Sequence, residues 1–200
     1  DGGAGKWPKL VASGSNGYGI LWSKAVPSTN REDTVETTEL TQIGADGEVD
    51  WSVTVADGGL SSGCGIAWTG DRYGIAWQTI SSGTSDGSIF FRSVDSTGVL
   101  GTTQDLTDSL TTDVGRQTVR VDLTWSDETG EFGLVFGILD SVTTTGELYF
   151  VRLDETGAVQ ATETQVGDID DAATPVPTVV TRTGGYAVAC GLAAAVEFLG

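Results

Sequence analysis

Residues 72–77 read RYGIAW, and close variants of the same six residues recur as GYGILW at 17–22, EFGLVF at 131–136 and GYAVAC at 185–190. Aligned on the aromatic, the copies stand at Tyr18, Tyr73, Phe132 and Tyr186. The spacings are 73−18 = 55, 132−73 = 59 and 186−132 = 54 residues, near the upper end of the periods of propellers and other stacked repeats. A period of this size implies several copies of one supersecondary unit.

Working outward, each copy opens on a short apolar run: KLVAS at 9–13, GIAWT at 65–69, VDLTWS at 121–126 and TVVT at 178–181. A polar turn follows (SGSNG, GDR, DETGE or RTGG), then the aromatic run. Gly, Asn and Asp between two strand-like runs accept the backbone angles of a tight reversal, which is a hairpin signal. Beyond a variable loop comes a third run, VETTELTQI at 35–43, SIFFRSV at 88–94 or ELYFVRL at 147–153, and then a turn, GADGEV, DSTGVL or DETGAV. A fourth run such as WSVTV at 51–55 completes the copy. Four antiparallel strands repeated along a chain are the blade unit of a β-propeller.

Alternation along a strand puts Tyr18, Ile20 and Trp22 on one face, as it does Tyr73, Ile75 and Trp77, and Phe132, Leu134 and Phe136. The other face carries Gly19, Gly74, Gly133 or Ala187 and is mostly small. A sheet apolar on both faces needs cover on both, so the motif reads as packing between blades, bulky face into small. The expected fold is all-β: one propeller domain over 1–200, with four blades at about 1–56, 57–113, 114–172 and 173–200. The last blade is expected to be incomplete, because the chain stops near the end of its third strand. DGG at 1–3 matches DGG at 57–59, which leaves no N-terminal strand to close a ring. A partner chain or a second copy is the expected cover for the open edge of the last blade.

WTGDRYGIAW at 68–77 followed by SIFFRSVDSTG at 88–98 resembles the blade repeat of secreted bacterial β-propellers, in which a turn, an aromatic, an apolar strand and Trp precede an apolar strand ending in Asp-x-x-Gly. The resemblance spans most of the chain and is weakest in the fourth copy. It implies the fold and an extracellular setting, and it assigns no catalytic residue.

Composition limits the function. Against 28 Asp and Glu stand 10 Lys and Arg, a formal net charge of -18; such a field repels nucleic acid and anionic membranes. No apolar run approaches the length of a membrane span. The chain has no His, which removes the usual base of Ser and Cys hydrolases. It also has no Met, so it reads as a processed or partial chain. Three lysines among abundant Thr, Ser and Gly fit export to the cell surface or medium. Cys64 and Cys190 occupy different places in the repeat and read as two buried thiols.

The leading function from sequence is a non-catalytic module that binds a protein or a glycan. Trp7, Trp51 and Arg31 are the candidate contacts, the tryptophans because they fall outside the repeated motif and Trp suits binding hot spots, Arg31 because it is the only base at the tip of the long loop 23–36. The second reading is a glycosidase-like enzyme using paired carboxylates drawn from Asp33, Asp86, Asp140, Asp168, Asp170 and Asp171. A third is a scaffold subunit joined through the last blade. No cofactor is expected; calcium, which takes oxygen ligands, has its densest candidate cluster in Asp168, Asp170 and Asp171.

Overall fold

The computed structural model describes residues 6–27, 34–57, 63–80, 87–106, 116–140, 145–161, 164–169, 176–190 and 197–199. Sheet 1 is built from β1 (Lys6–Ala12), β2 (Tyr18–Pro27), β3 (Thr34–Ile43) and β4 (Val49–Asp57). Sheet 2 comprises β5 (Cys64–Trp68), β6 (Arg72–Ile80), β7 (Gly87–Asp95) and the short β8 (Gln104–Asp105). Sheet 3 comprises β9 (Arg116–Ser126), β10 (Glu131–Asp140), β11 (Gly146–Leu153) and β12 (Thr164–Ile169). Sheet 4 has three strands, β13 (Pro177–Arg182), β14 (Gly185–Cys190) and β15 (Glu197–Leu199). Each sheet is an antiparallel meander in chain order, and the only helical feature among the described residues is a single turn at Gly14–Asn16. The molecule is a β-propeller with a three-stranded last blade, and the strands fall within a few residues of the expected ones.

Three apolar cores lie between consecutive sheets. Leu21, Leu40 and Val55 of sheet 1 meet Tyr73, Ile75 and Trp77 of sheet 2. Ala67, Ala76 and Phe91 of sheet 2 meet Phe132, Leu134 and Phe136 of sheet 3. Val135, Leu148 and Phe150 of sheet 3 meet Tyr186, Val188 and Cys190 of sheet 4. Neither cysteine is in a disulfide, and both are buried. The second strands thus mesh as the alternation requires, each bulky face in the small face of the sheet before it.

The closest point of each mesh is an aromatic ring on a glycine. A Cβ on Gly19 would stand 2.8 Å from Tyr73 Cζ, one on Gly133 2.6 Å from Tyr186 Cδ1, and one on Gly74 would overlap the Phe132 ring. Gly is needed here because the ring occupies the side-chain volume. Trp68 flanks Tyr73 at 4.5 Å between ring centroids and Trp125 flanks Phe132 at 4.7 Å. The phenol groups are satisfied: Tyr73 donates to Gln42 Oε1 and Tyr186 donates to the Glu131 carbonyl at 3.2 Å. Gln42, itself buried, donates to the Asn16 carbonyl at 2.6 Å and so anchors the first turn of sheet 1.

One copy departs from its sequence pattern. Tyr18 is spelled like Tyr73 but is 50% exposed, where Tyr73, Phe132 and Tyr186 are between 0% and 2%. Among the described residues no sheet covers the bulky face of sheet 1, and Leu10 beside it is 65% exposed. At the far end of the arc, Val180 on the small face of sheet 4 is 55% exposed.

Adding one methyl at a seat should overpack the interface. Gly74→Ala is expected to destabilise the fold by roughly 1–3 kcal/mol, whereas Gly167→Ala, with nothing near its Cβ position, should change stability by less than about 0.5 kcal/mol. Urea unfolding of the two variants checks this, and equal midpoints would remove the seat from the account.

Candidate functional site

The first strands of the sheets pack side by side, β1 on β5, β5 on β9 and β9 on β13, as the innermost strands of a propeller do, and between them a small cavity of about 100 Å³ opens. Each sheet contributes to its wall: Lys9 from sheet 1, Cys64 from sheet 2, Arg120 from sheet 3 and Pro177 from sheet 4. Drug-sized ligands need roughly 300–1,000 Å³, so this space admits one functional group of a larger ligand.

Arg120 is presented by an irregularity. In the β9–β10 ladder Phe136 pairs with Val121 and Gly137 with Val119, so the register skips Arg120, which is the extra residue of a bulge. Its φ is +46°, the one positive value at a non-glycine among the described residues. A bulky L side chain in the left-handed region is costly, and such outliers persist where the surroundings impose them. Here Gln78, fully buried in β6, accepts a hydrogen bond from the Arg120 N–H at 3.2 Å. A bulge of this kind re-aims a side chain, and this one sets Arg120 against the axial cavity.

Asp122, two residues on, ties the inner strands together. Its Oδ1 lies 3.2 Å from Lys9 Nζ of sheet 1. Its Oδ2 accepts from Thr178 Oγ1 at 2.9 Å and from the Val179 N–H at 3.2 Å, both in sheet 4. The carboxylate is therefore occupied in joining three sheets. Cys64 is equally unsuited to attack: burial pushes its thiol from an ordinary 9.0 up to about 12, with Lys9 pulling down and Asp122 pushing up, and the thiolate is the nucleophile. Two cations, a committed carboxylate and a protonated thiol suit recognition of an oxygen-rich group more than acid–base chemistry.

Carboxylates converge elsewhere, at the turn end of sheet 1. A cleft of about 520 Å³ is lined by Asn16, Gln42, Asp46, Asp50 and Ser96. Asp46 Oδ1 and Asp50 Oδ1 lie 2.9 and 3.1 Å from where a Cβ on Gly44 would stand, so the two carboxylates are neighbours. Asp46 Oδ1 also accepts from the Glu48 N–H at 3.0 Å.

Of the candidate site residues singled out in the sequence, Trp51 and Asp168 are those whose side chains lie among the described residues. Trp51 donates from Nε1 to the Ser96 carbonyl at 3.1 Å, lies edge-on to Tyr73 at 6.1 Å and lies against the Gly98 turn; it joins sheet 1 to sheet 2. The backbone of Trp7 belongs to β1, and its side chain is outside the described residues. Arg31, Asp33, Asp86, Asp170 and Asp171 also lie outside them, and of Asp140 only the backbone, paired with Arg116 at the end of β10, is described. Asp168 is exposed and accepts from Gln165 Nε2 at 2.6 Å. Among the described residues no three acidic, His or Cys side chains gather as a metal site would require. Lys9, Arg120 and Asp122 were not legible in advance, because the bulge has no glycine to mark it.

No protein-family model matches the chain, and no curated protein matches its sequence. Among solved structures, the sucrose-6-phosphate hydrolase of Lactobacillus gasseri superposes with a TM-score of 0.58 at 11% identity over 94% of this chain and 40% of its own. An N-acetylgalactosamine deacetylase from F. plautii, solved with blood group B trisaccharide, superposes with a TM-score of 0.56 at 10% identity over 92% of this chain and 61% of its own. At these identities the likeness is one of fold, and the chain spans less than two thirds of either neighbour.

The state of Cys64 has a pH signature. With its folded pKa above the unfolded value, the unfolded chain loses the proton first as pH rises, so this contribution is intact below about 9 and is lost from there towards 12. Tyr73, raised by burial, acts in the same direction. Stability should therefore fall through this alkaline window, and Cys64→Ala should flatten the fall; identical slopes in chemical denaturation would contradict it.

Proposed function

We propose that this chain is a glycan-recognising propeller module that works outside the cell and takes one polar group of its ligand into the axial cavity. The observation that carries the reading is Arg120, held in a left-handed bulge by buried Gln78 at the point where all four sheets meet. In a chain of net charge -18, placing Lys9 and Arg120 on one small cavity is a local reversal of sign. Two such donors favour an anionic or hydroxyl-rich group, since hydrogen bonds from charged donors are the stronger kind. Two carbohydrate-acting neighbours of the same fold support the substrate class. An extracellular setting fits the composition.

A carbohydrate-active enzyme is the second reading, favoured by the neighbouring carboxylates Asp46 and Asp50 beside a cleft of about 520 Å³. Paired carboxylates at roughly 5–5.5 Å suit retaining glycoside hydrolysis.

Arg120→Gly separates guanidinium from backbone, because glycine adopts φ +46° without strain. Calorimetric titration with a panel of neutral and acidic oligosaccharides should show at least about tenfold weaker binding for this variant, the loss of one charged hydrogen bond, with folding intact. Unchanged affinity, or no binding to any member, would sink the module reading. Turnover of a glycoside that survives Arg120→Gly but is lost in Asp46→Asn or Asp50→Asn would establish the enzyme instead.

A further inference from the structure

Among the described residues, two faces of the same internal interface stand without a sheet against them. At one end the bulky face of sheet 1 is bare: Tyr18 is 50% exposed, and Pro8, Ile20, Trp22 and Thr41 line an open apolar hollow of about 370 Å³. Trp22 is fixed there by its Nε1 donating to Thr41 Oγ1 at 3.2 Å. On sheet 4 the small face carries Val180, 55% exposed, and the half-buried Ala187 paired with it. What covers a Tyr-x-Ile-x-Trp face is shown within the chain itself. In each of the three internal interfaces the cover is a sheet of the same repeat, and the residue beneath the aromatic ring is glycine.

Sheet 4 breaks that rule by one methyl group. Ala187 stands where Gly19, Gly74 and Gly133 stand. In the internal seats a Cβ would fall within 2.8 Å of Tyr73 Cζ and 2.6 Å of Tyr186 Cδ1, closer than real side chains approach, and the rings are too fully buried to give way. A second copy offering sheet 4 to Tyr18 would meet that obstruction.

We propose that the Tyr18–Ile20–Trp22 face is a docking surface for a further sheet of this repeat carrying glycine in the seat, and that Ala187 bars a second copy of this chain from being that sheet. Such an alanine serves a purpose. A molecule carrying both halves of a heterologous interface polymerises head to tail unless the contact closes or is blocked, and an open arc with a free aromatic face at each first sheet is such a molecule.

The test makes the chain its own glycine-bearing partner. Native mass spectrometry and light scattering over a concentration series should find the wild type at the mass of one chain. Ala187→Gly should shift to dimers and higher species as concentration rises, and Tyr18→Asp added to it should restore the single-chain mass. Thermal melts report whether the variants fold. Tyr18→Leu, which removes the ring and leaves sheet 4 untouched, carries the same expectation should Ala187→Gly not fold. Wild-type oligomers that Tyr18→Asp dissolves would overturn the block, and single-chain mass for both Ala187→Gly and Tyr18→Leu would overturn the docking surface.

Discussion

The contact of an aromatic ring with the bare Cα of a glycine in the preceding sheet governs this molecule. Tyr73 on Gly19, Phe132 on Gly74 and Tyr186 on Gly133 are the same contact three times, and each sets the distance and angle between two sheets. Burying each ring contributes roughly 1.5–3 kcal/mol of transfer free energy, but the position is what matters most. A ring that enters the volume of a missing side chain admits one register between sheets, since a shift of one residue along the strand would present the opposite face. Tyr and Phe exchange at the seat because the phenol oxygen reaches a local acceptor, Gln42 or the Glu131 carbonyl, and Phe has no such need.

Once the sheets are set by their second strands, the first strands are brought to the axis as a consequence. There the packing logic changes from apolar to polar. Asp122 bonds Lys9 of one sheet and Thr178 and Val179 of another, so a single carboxylate spans most of the arc. A half-exposed ion pair of this kind adds little by itself, and the hydrogen bond from the Val179 N–H, which is partly sheltered, carries more of its worth. Its service is geometric: it holds the wall of the cavity in which Arg120 is displayed.

The fold was legible in the sequence because the interface is periodic and made of residue types with few other uses together. Tyr-Gly-Ile-x-Trp and its variants, at spacings of 55, 59 and 54 residues, tell both the strand and its two faces. The exposure of Tyr18 was not legible, since its spelling is that of Tyr73 and the two differ in whether a sheet among the described residues covers the ring. Trp51 looked like a ligand contact because it lies outside the motif, yet its indole bonds Ser96, 45 residues away, a pairing that sequence spacing does not announce. Asp122 was hidden for the same reason, its partners lying 113 and 56 residues off. Arg120 was hidden by chemistry: bulges with left-handed residues are usually marked by glycine or asparagine, and here the mark is absent.

That absence bears on what the axis does. If geometry alone were required at position 120, glycine would meet it without strain, and the chain uses glycine freely at positive φ in its turns, at Gly47, Gly98 and Gly157 among others. An arginine held in that conformation costs of order 1–3 kcal/mol, a large fraction of the net stability of a domain. The buried amide of Gln78 is committed to supporting it. Strain of this size at the convergence of four sheets is best understood as the cost of placing a guanidinium where the ring geometry would otherwise put none. On the function proposed above, the axial cavity is the part of this propeller whose residues answer to a ligand, while the seats between sheets answer only to packing.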